Sequence, residues 1–386
     1  MTIGEVVKAG VSSGAAPGVV ALAMTTDGDV LYEGAEGVRG LTDGVAMTND
    51  TVFRIFSMTK AVASAAAALL VEDGKLSIDT PVADILPEFA NVKVLDGWDG
   101  DKPVFRDPTT VCTVRHLATH TSGLVYEFWN ADQAKLIEAG APGILSGTLD
   151  SLHSSYSMVF DPGERWDYGV GIDWLSQVIE KVSGQTLDAF VQDRLLTPLG
   201  MSSTFFEREP AADRLASIHI FDPDGVLAQM DDIGPPPYPE FYGGGHCLFS
   251  TASDYMRFLR MLLNRGELDG NRVMAPKTID WMFANQIGDI DIPVMKSVTP
   301  LSADVDFLPG IAKKHSFAFV TNTEDVPGMR KAGTQSWAGV CNTHMWVDPT
   351  SGVAGVILTQ VLPFVDERVM SLYTDFERAV YAELAS

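Results

Sequence analysis

The stretch FRIFSMTK (residues 53–60) runs directly into the alanine-rich segment AVASAAAALL (residues 61–70). An apolar segment that ends in a run of helix formers predicts a buried helix beginning at Ser57. Ser57 and Lys60 are three residues apart, and such positions share one face of a helix. The serine lies at the helix N-terminus, where unpaired N–H groups and the macrodipole favour negative charge. The stretch therefore predicts an activated nucleophile, with an amine beside a hydroxyl.

The pattern S-x-x-K alone is weak, because it occurs by chance in many chains. The less specific interpretation is a capping serine followed by a solvated lysine. The residues after Lys60 are almost wholly apolar, however, so the helix that carries it is predicted to be buried. A buried ammonium group is costly and tends to lose its proton. A neutral lysine is a general base, so the context favours catalysis.

The bulk composition limits the classes of function that the chain could have. Its 386 residues are 46% hydrophobic and 20% charged, which is typical of a globular protein. The net charge of −24 repels phosphate groups, so we expect neither a nucleic-acid partner nor binding to anionic membranes. No run approaches the ~20 apolar residues of a membrane span, and no signal peptide is recognisable, which predicts a cytoplasmic protein. The three widely spaced cysteines form neither a disulfide framework nor a metal motif.

The order of the predicted elements indicates an α+β fold. Strands are predicted near both ends of the chain and helices mainly between them, so we expect an antiparallel sheet made from both termini and flanked by helices, with an inserted all-helical domain. The predicted sheet domain comprises residues 1–60 and 250–386. The mainly helical domain comprises residues 61–249, and the active site is expected in the cleft between the two. Within the helical part, residues 76–110 are predicted to be irregular and residues 210–239 to form a loop.

A second motif with chemical potential is PGERWDYGV (residues 162–170). Tyr168 stands in a glycine-rich turn just before a predicted helix, and such a turn can project the phenol into a cleft. Beside a lysine that shares protons, a phenol can take part in proton transfer. The alternative is an ordinary packed aromatic side chain.

A third motif, SWAGV (residues 336–340), lies immediately before a predicted strand. Gly339 would allow the strand backbone to approach a ligand closely. The N–H of Val340 could then join the N–H of Ser57 as an oxyanion hole, with Trp337 as a wall of the cleft. The alternative is a core tryptophan beside a β-bulge. Three further aromatic residues on predicted loops are candidates for the pocket wall and would suit apolar or aryl acyl groups: Tyr126, Phe128 and Tyr242.

Together these motifs resemble the serine β-lactamase and penicillin-recognising fold. SMTK (residues 57–60), Tyr168 in its P-G-x-x-W-x-Y context and WAG (residues 337–339) occur in the order and spacing of that family. HLATHTSGL (residues 116–124) and YGGG (residues 242–245) resemble two more of its motifs, so the likeness spans most of the chain. Within this fold the chain is most similar to the family VIII carboxylesterases, which are related to class C β-lactamases.

The resemblance implies a role for each motif. Ser57 would be the nucleophile, Lys60 with Tyr168 the base pair, and Trp337 and Gly339 the edge of the cleft. The implied reaction is attack on a carboxylic ester, followed by hydrolysis of the acyl-enzyme by water. It implies a small-molecule ester as the partner and no metal or organic cofactor. The oligomeric state remains unknown from the sequence.

Two departures from class C β-lactamases favour esters over β-lactams. Those enzymes have Tyr-x-Asn where this chain has Val170, which offers no amide to hold a β-lactam side chain. They also have Lys-Thr-Gly where this chain has Trp337, which removes the cation that binds the β-lactam carboxylate. The esterases typically have Trp-Gly-Gly, so Ala338 is a small deviation. We therefore expect little β-lactamase or DD-peptidase activity.

Other functions stay open at the level of sequence. They are hydrolysis of amides, lactams or D-amino-acid peptides, acyl transfer to an alcohol, and ligand binding without catalysis. The joint presence of Ser57, Lys60 and Tyr168 counts against the last of these.

Two further motifs favour other enzyme classes only weakly. GVSSG (residues 10–14) fits the G-x-S-x-G nucleophile elbow, but it is predicted to close a helix, whereas the elbow follows a strand. His116 and His120 have the spacing of a zinc pair but lack the glutamate of H-E-x-x-H. We interpret both histidines as packed side chains and Ser12 as an ordinary helix residue.

Overall fold

A computed structural model describes residues 1–230 and 233–386; residues 231 and 232, within the predicted loop, lie outside the described residues. In chain order the helices are α1 (Ile3–Ser12), α2 (Thr59–Glu72), α3 (Val82–Ile85), α4 (Val114–Ala118), α5 (Ala131–Glu138), α6 (Leu149–His153), α7 (Gly171–Ser183), α8 (Leu187–Val191), α9 (Thr197–Leu199), α10 (Ala252–Leu263), α11 (Pro276–Phe283) and α12 (Glu367–Leu384). Short 3₁₀ turns cover Phe56–Met58, Pro87–Asn91, Ile144–Ser146 and Glu209–Ala211, and a π-turn covers Gln192–Leu196.

The strands of the described residues are β1 (Gly18–Thr25), β2 (Val30–Gly37), β3 (Phe53–Arg54), β4 (Val94–Asp99), β5 (Lys102–Arg106), β6 (His219–Phe221), β7 (Leu227–Gln229), β8 (Phe249–Ser250), β9 (Glu267–Leu268), β10 (Asn271–Arg272), β11 (Lys313–His315), β12 (Val320–Asn322), β13 (Gln335–Gly339), β14 (Thr343–Asp348), β15 (Val353–Leu358) and β16 (Val361–Leu362). Seven of them form one antiparallel sheet in the order β11-β12-β13-β14-β15-β1-β2. The sheet thus joins the N-terminal hairpin to strands from the C-terminal part, which confirms the predicted α+β fold with an antiparallel sheet from both termini.

The central strands of the sheet are buried on both faces, because helices cover each side. Along β1, alternate side chains point to opposite faces, as the pleat requires. Val19 and Ala21 pack in the cluster beneath α1 and α12, whereas Val20 and Leu22 pack in the larger cluster that includes α2 and α10. The helix that carries the S-x-x-K motif is therefore held in the main core, where every residue from Thr59 to Leu70 is buried.

Three local features of the fold differ from the sequence-based expectations. Residues 76–110 were expected to be irregular and residues 210–239 to form a loop, but β4 pairs with β5 and β6 with β7 as antiparallel hairpins. SWAGV (residues 336–340) was expected to lie just before a strand, but β13 covers residues 335–339, the chain then turns back to β14, and Asn342 has φ of 57° at the turn. Trp337 and Gly339 therefore lie on a strand of the main sheet rather than on a loop before it. The division into domains at residues 60 and 250 stays a prediction.

A buried ion pair joins the last helix, α12, to the segment between β12 and β13. Arg330 and Glu377 are each about 1% exposed, and Arg330 Nε donates to Glu377 Oε1 over 2.7 Å. The guanidinium also donates to the hydroxyl of Tyr373 over 2.6 Å. A buried charge that loses its partner keeps its full desolvation penalty.

Replacing Glu377 by alanine should therefore lower the free energy of unfolding by about 3–5 kcal/mol, since Arg330 would remain buried without its carboxylate. Urea denaturation followed by circular dichroism measures this change. Asp375→Ala on the same helix is the matched control, because it breaks an exposed pair with Arg378 that is worth about 0–1 kcal/mol. Equal losses in the two variants would show that the buried pair contributes no more to stability than the exposed pair.

Among the residues that the structure describes, no helix is long and apolar enough to cross a membrane.

Candidate active site

Ser57 lies in a tight backbone turn between β3 and α2. It occupies the middle of the 3₁₀ turn Phe56–Met58, two residues before the first residue of α2 rather than within the helix itself. Phe56 has φ of 42°, a conformation that costs energy for a bulky side chain, and it persists because Phe56 is buried at 3% exposure. Backbone strain of this kind clusters at functional sites, and here it presents the adjacent serine to a cavity.

The amine of Lys60 is buried and makes three polar contacts. Its Nζ lies 3.2 Å from Ser57 Oγ, 2.8 Å from the carbonyl oxygen of Gly245 and 3.0 Å from the hydroxyl of Tyr126. A neutral amine has two N–H groups and one lone pair. The Gly245 carbonyl and the Tyr126 oxygen can accept both N–H groups, which leaves the lone pair for the proton of Ser57. The predicted pairing of Ser57 with Lys60 is thus present in the geometry.

Burial changes the protonation of this lysine. Desolvation lowers the pKa of Lys60 to about 7, although the nearby carboxylate of Asp173 favours the charged form. A substantial fraction of the amine is then neutral near pH 7, as a general base requires.

Tyr168 reaches the serine from the opposite side. Its hydroxyl donates to Ser57 Oγ over 2.6 Å, and its carbonyl accepts the N–H of Tyr126 over 3.0 Å. The turn is close to the neighbouring backbone, because a Cβ added to Gly169 would lie 1.9 Å from the carbonyl oxygen of Leu124. Only glycine fits there, and this close approach holds the phenol at the serine.

Four aromatic rings surround the ring of Tyr168, with centroids between 4.8 and 5.4 Å away: His120, Tyr126, Trp129 and Trp337. Burial among them raises the pKa of Tyr168 far above its usual range, and the hydrogen bond with Ser57 offsets only part of this. The phenol is consequently neutral near pH 7 and acts as a hydrogen-bond donor to the serine. Of the two groups beside Ser57, the neutral amine of Lys60 is available as a base, whereas Tyr168 keeps its proton and stabilises the serine oxygen as a hydrogen-bond donor.

The SWAGV motif lies against the serine, but Gly339 is not at the cavity surface. A Cβ added to it would lie 2.2 Å from the carbonyl oxygen of Ile55, so this glycine permits close contact with the backbone that leads to Ser57. Gly339 was predicted to let the strand approach a ligand, but in the structure it lets the strand approach the backbone of Ile55. Val340 borders both cavities that Ser57 borders, and Trp337 borders the smaller one.

The larger of these cavities has a volume of about 400 Å³ and a mainly apolar wall. Of the predicted wall residues, Tyr126 and Phe128 line it together with Ser57 and Tyr168. Tyr242 does not line it, because its hydroxyl donates to Glu207 and its ring borders an adjoining cavity of about 190 Å³. An apolar recess beside a nucleophile can hold the hydrocarbon part of a substrate.

The sequence interpretation missed a buried acid and an imidazole behind Lys60. Asp173, with no exposed surface, accepts the N–H of Gly245 over 3.0 Å at Oδ1, and His246 Nδ1 lies 3.3 Å from the same oxygen. Burial alone would raise the pKa of Asp173, but His246 and Lys60 lower it overall. Asp173 thereby fixes the loop whose carbonyl holds the lysine. The signal available in the sequence was an acid between two large apolar residues, Ile172 and Trp174, in the first turn of a helix.

The residues of the two weaker motifs have other surroundings. Ser12 is the last residue of α1, as expected for a serine that closes a helix. His116 Nδ1 accepts the N–H of Thr113 over 3.1 Å, and His120 stacks on Trp337. Among the described residues, no group of three or more histidine, cysteine, aspartate or glutamate side chains is placed to hold a metal ion.

Comparison with known proteins gives consistent similarities. The family model for beta-lactamase matches residues 3–378. The chain is 30% identical to the lovastatin esterase of Penicillium rubens, over 98% of this chain and 98% of that protein. It is 29% identical to the monacolin J acid methylbutanoyltransferase of Aspergillus terreus, over 95% of this chain and 92% of that protein. Among solved structures, simvastatin synthase from Aspergillus terreus matches with a TM-score of 0.83 at 26% identity, covering 98% of this chain and 97% of that one.

Proposed function

The chain belongs to the beta-lactamase family, and we propose that it is a serine hydrolase that cleaves carboxylic esters through an acyl-enzyme intermediate. One observation carries the proposal. Ser57 Oγ lies 3.2 Å from the amine of Lys60 and 2.6 Å from the hydroxyl of Tyr168, beside a mainly apolar cavity. This is a nucleophile that contacts both a base and a hydrogen-bond donor. The similarity to lovastatin esterase supports the same reaction class.

In the acylation step, Lys60 takes the proton of Ser57 as Oγ bonds to the ester carbonyl carbon. The carbonyl oxygen becomes an oxyanion, and the N–H groups of Ser57 and Val340 are the donors that we assign to it. The bond to the alcohol then breaks. The proton held by Lys60 returns to the leaving oxygen, and the hydroxyl of Tyr168 is placed to pass it on.

In the second step, a water molecule attacks the acyl-enzyme and loses its proton to the neutral Lys60. The bond between the acyl carbon and Ser57 Oγ breaks, and Oγ recovers its proton from the lysine. The acid product leaves and the amine is neutral again. No external oxidant, reductant or cofactor enters this balance.

Transfer of the acyl group to an alcohol is the second candidate. The similarity to monacolin J acid methylbutanoyltransferase favours it, since an acyl-enzyme can be discharged by an alcohol as readily as by water. The mainly apolar cavity wall also suits the carbon skeleton of an alcohol better than it suits water. Hydrolysis of amides, lactams or D-amino-acid peptides is less well supported, because Trp337 and Val170 stand where β-lactam contacts would be needed.

A fluorophosphonate probe with 4-nitrophenyl esters tests the proposal. We expect covalent labelling at Ser57, located by peptide mass spectrometry, and rapid ester turnover with much slower turnover of a chromogenic cephalosporin. Added alcohols that yield new esters in the product mixture would assign acyl transfer. A folded protein with neither labelling nor ester turnover would instead be a ligand binder, and the proposal would fail.

A further inference from the structure

The mainly apolar cavity beside Ser57 contains two ionisable side chains that the proposed reaction does not use. Glu127 and His246 both line it, among side chains such as Phe128, Ile144 and Leu301. Neither group forms a hydrogen bond with Ser57. Polar groups placed in an apolar pocket usually orient a ligand and supply specificity.

His246 is about 8% exposed and is held from one side. Its Nδ1 is buried 3.3 Å from Asp173 Oδ1. Its other nitrogen, Nε2, has no hydrogen-bond partner within the described part of the chain and is not fully buried. Nε2 is therefore left on the cavity side of the ring. Although burial disfavours the charged ring, Cys247 and Asp173 outweigh this and raise the pKa of His246 to about 10, so Nε2 carries a proton to donate.

Glu127 is also held through one atom only. Its Oε2 accepts the hydroxyl of Tyr156 over 2.8 Å, and the same Tyr156 oxygen accepts the N–H of Ile144 over 3.1 Å. Oε1 accepts no hydrogen bond from another side chain in the described part of the protein, so it remains available as an acceptor. Burial raises the pKa of Glu127, whereas hydrogen bonds from its own backbone N–H and from Tyr156, together with the positive charge of His246, partly offset this. The cavity wall thus offers one donor and one acceptor.

We propose that this pair selects a hydroxyl group on the substrate, so that the preferred esters carry a hydroxylated chain rather than a plain alkyl chain. The inference rests on the proposed ester chemistry. A hydroxyl group can accept from Nε2 of His246 and donate to Oε1 of Glu127 at the same time. A plain alkyl chain would displace water from both groups and leave them unpaired in a dry pocket, which is costly.

The pair also disfavours charged chains. An ammonium or a carboxylate group would be attracted by one of the two side chains and repelled by the other, and it would add a net charge to the buried site. A neutral group that both donates and accepts satisfies the pair without adding a charge to a buried site.

The test compares kcat/KM for matched 4-nitrophenyl esters: butanoate with 3-hydroxybutanoate, hexanoate with 6-hydroxyhexanoate, and octanoate with 8-hydroxyoctanoate. We expect the hydroxylated ester to be preferred by about tenfold or more at one chain length, which corresponds to about 1.4 kcal/mol. Equal rates for all three pairs would overturn the inference while leaving the ester function intact. If no ester is turned over, the proposed function fails first.

Two variants locate the preference. Glu127→Met should bring the ratio of hydroxylated to plain ester close to one, because the acceptor is lost. Glu127→Gln keeps the shape and a weaker acceptor, so it should give an intermediate ratio, and it remains informative if the methionine variant does not fold. Glu138→Gln, at an exposed position at the end of α5, is the control and should keep the full ratio. A preference that survives in Glu127→Met would overturn the assignment.

Discussion

Ser57→Ala should lower kcat for 4-nitrophenyl ester cleavage by about 10⁴- to 10⁶-fold and abolish fluorophosphonate labelling. Without the Oγ atom no acyl-enzyme can form, because Lys60 and Tyr168 remain with no nucleophile to activate. Stopped-flow and steady-state assays of the purified variant measure the loss of turnover, and intact-protein mass spectrometry measures the labelling. Alanine at this position keeps the backbone turn, so the fold should survive.

Ser12→Ala is the matched control for the nucleophile. This serine belongs to the second motif that fits a serine hydrolase pattern, but it lies at the end of α1 and far from the described contacts of Lys60. It should retain wild-type turnover and labelling. An inactive Ser12 variant together with an active Ser57 variant would show that Ser12 is the nucleophile, and the proposal would fail.

Lys60→Met should lower kcat by about 10²- to 10⁴-fold, which is the usual contribution of a general base to the rate. Methionine has a similar length and no titrating amine. In the wild type, kcat/KM should fall about tenfold per pH unit below pH 7, because the pKa of Lys60 is lowered to about 7 and the protonated amine cannot accept the serine proton. Above that pH the amine is neutral and the rate should level off.

The variant should lose this acidic limb of the pH profile together with the rate. Lys181→Met, at an exposed position near the end of α7, is the control and should keep both. An unchanged limb near pH 7 in Lys60→Met would assign the titration to another group, and near-wild-type kcat would remove the base role from the lysine.

The pairing of Ser57 with Lys60 could be predicted from the sequence because it depends on local geometry alone. Residues three apart meet wherever the backbone is helical, and the 3₁₀ turn Phe56–Met58 leads directly into α2. Tyr168 was predicted for a different reason. Its glycine-rich turn left an ordinary packed aromatic side chain open, and its pairing with Ser57 was implied by the resemblance of PGERWDY (residues 162–168) to a family motif.

Asp173 and His246 could not be predicted, because 73 positions of chain separate them and no local rule joins them. The contact follows from how the Gly243–Cys247 loop packs on α7, where the N–H of Gly245 donates to Asp173. Only the packed structure shows that this loop also supplies the carbonyl for Lys60. The failure at Tyr242 has the same origin, because Glu207 draws its hydroxyl away from the larger cavity.

The β4–β5 hairpin was missed although a local signal was present. Gly100-Asp101 lies between the two strands, Gly100 has φ of 62°, and Gly-Asp is a two-residue hairpin signal. The surrounding proline, glycine and aspartate residues obscured it, since they are also typical of irregular structure. For β13 the misleading feature was the opposite one. The turn from Val340 to Asn342 contains apolar residues and so resembles a continuation of the strand.

The burial of Lys60 also has a consequence for how firmly the protein stays folded. In the unfolded chain this lysine has its ordinary pKa of 10.5, but in the fold the pKa is about 7. Between these two pH values unfolding takes up a proton, so stability rises with pH across the window. Below pH 7 the full penalty applies, on the order of 5 kcal/mol. Lys60→Met removes it, so the nearly inactive enzyme should melt at a higher temperature than the active one. Thermal tolerance and catalytic competence oppose each other at this single side chain.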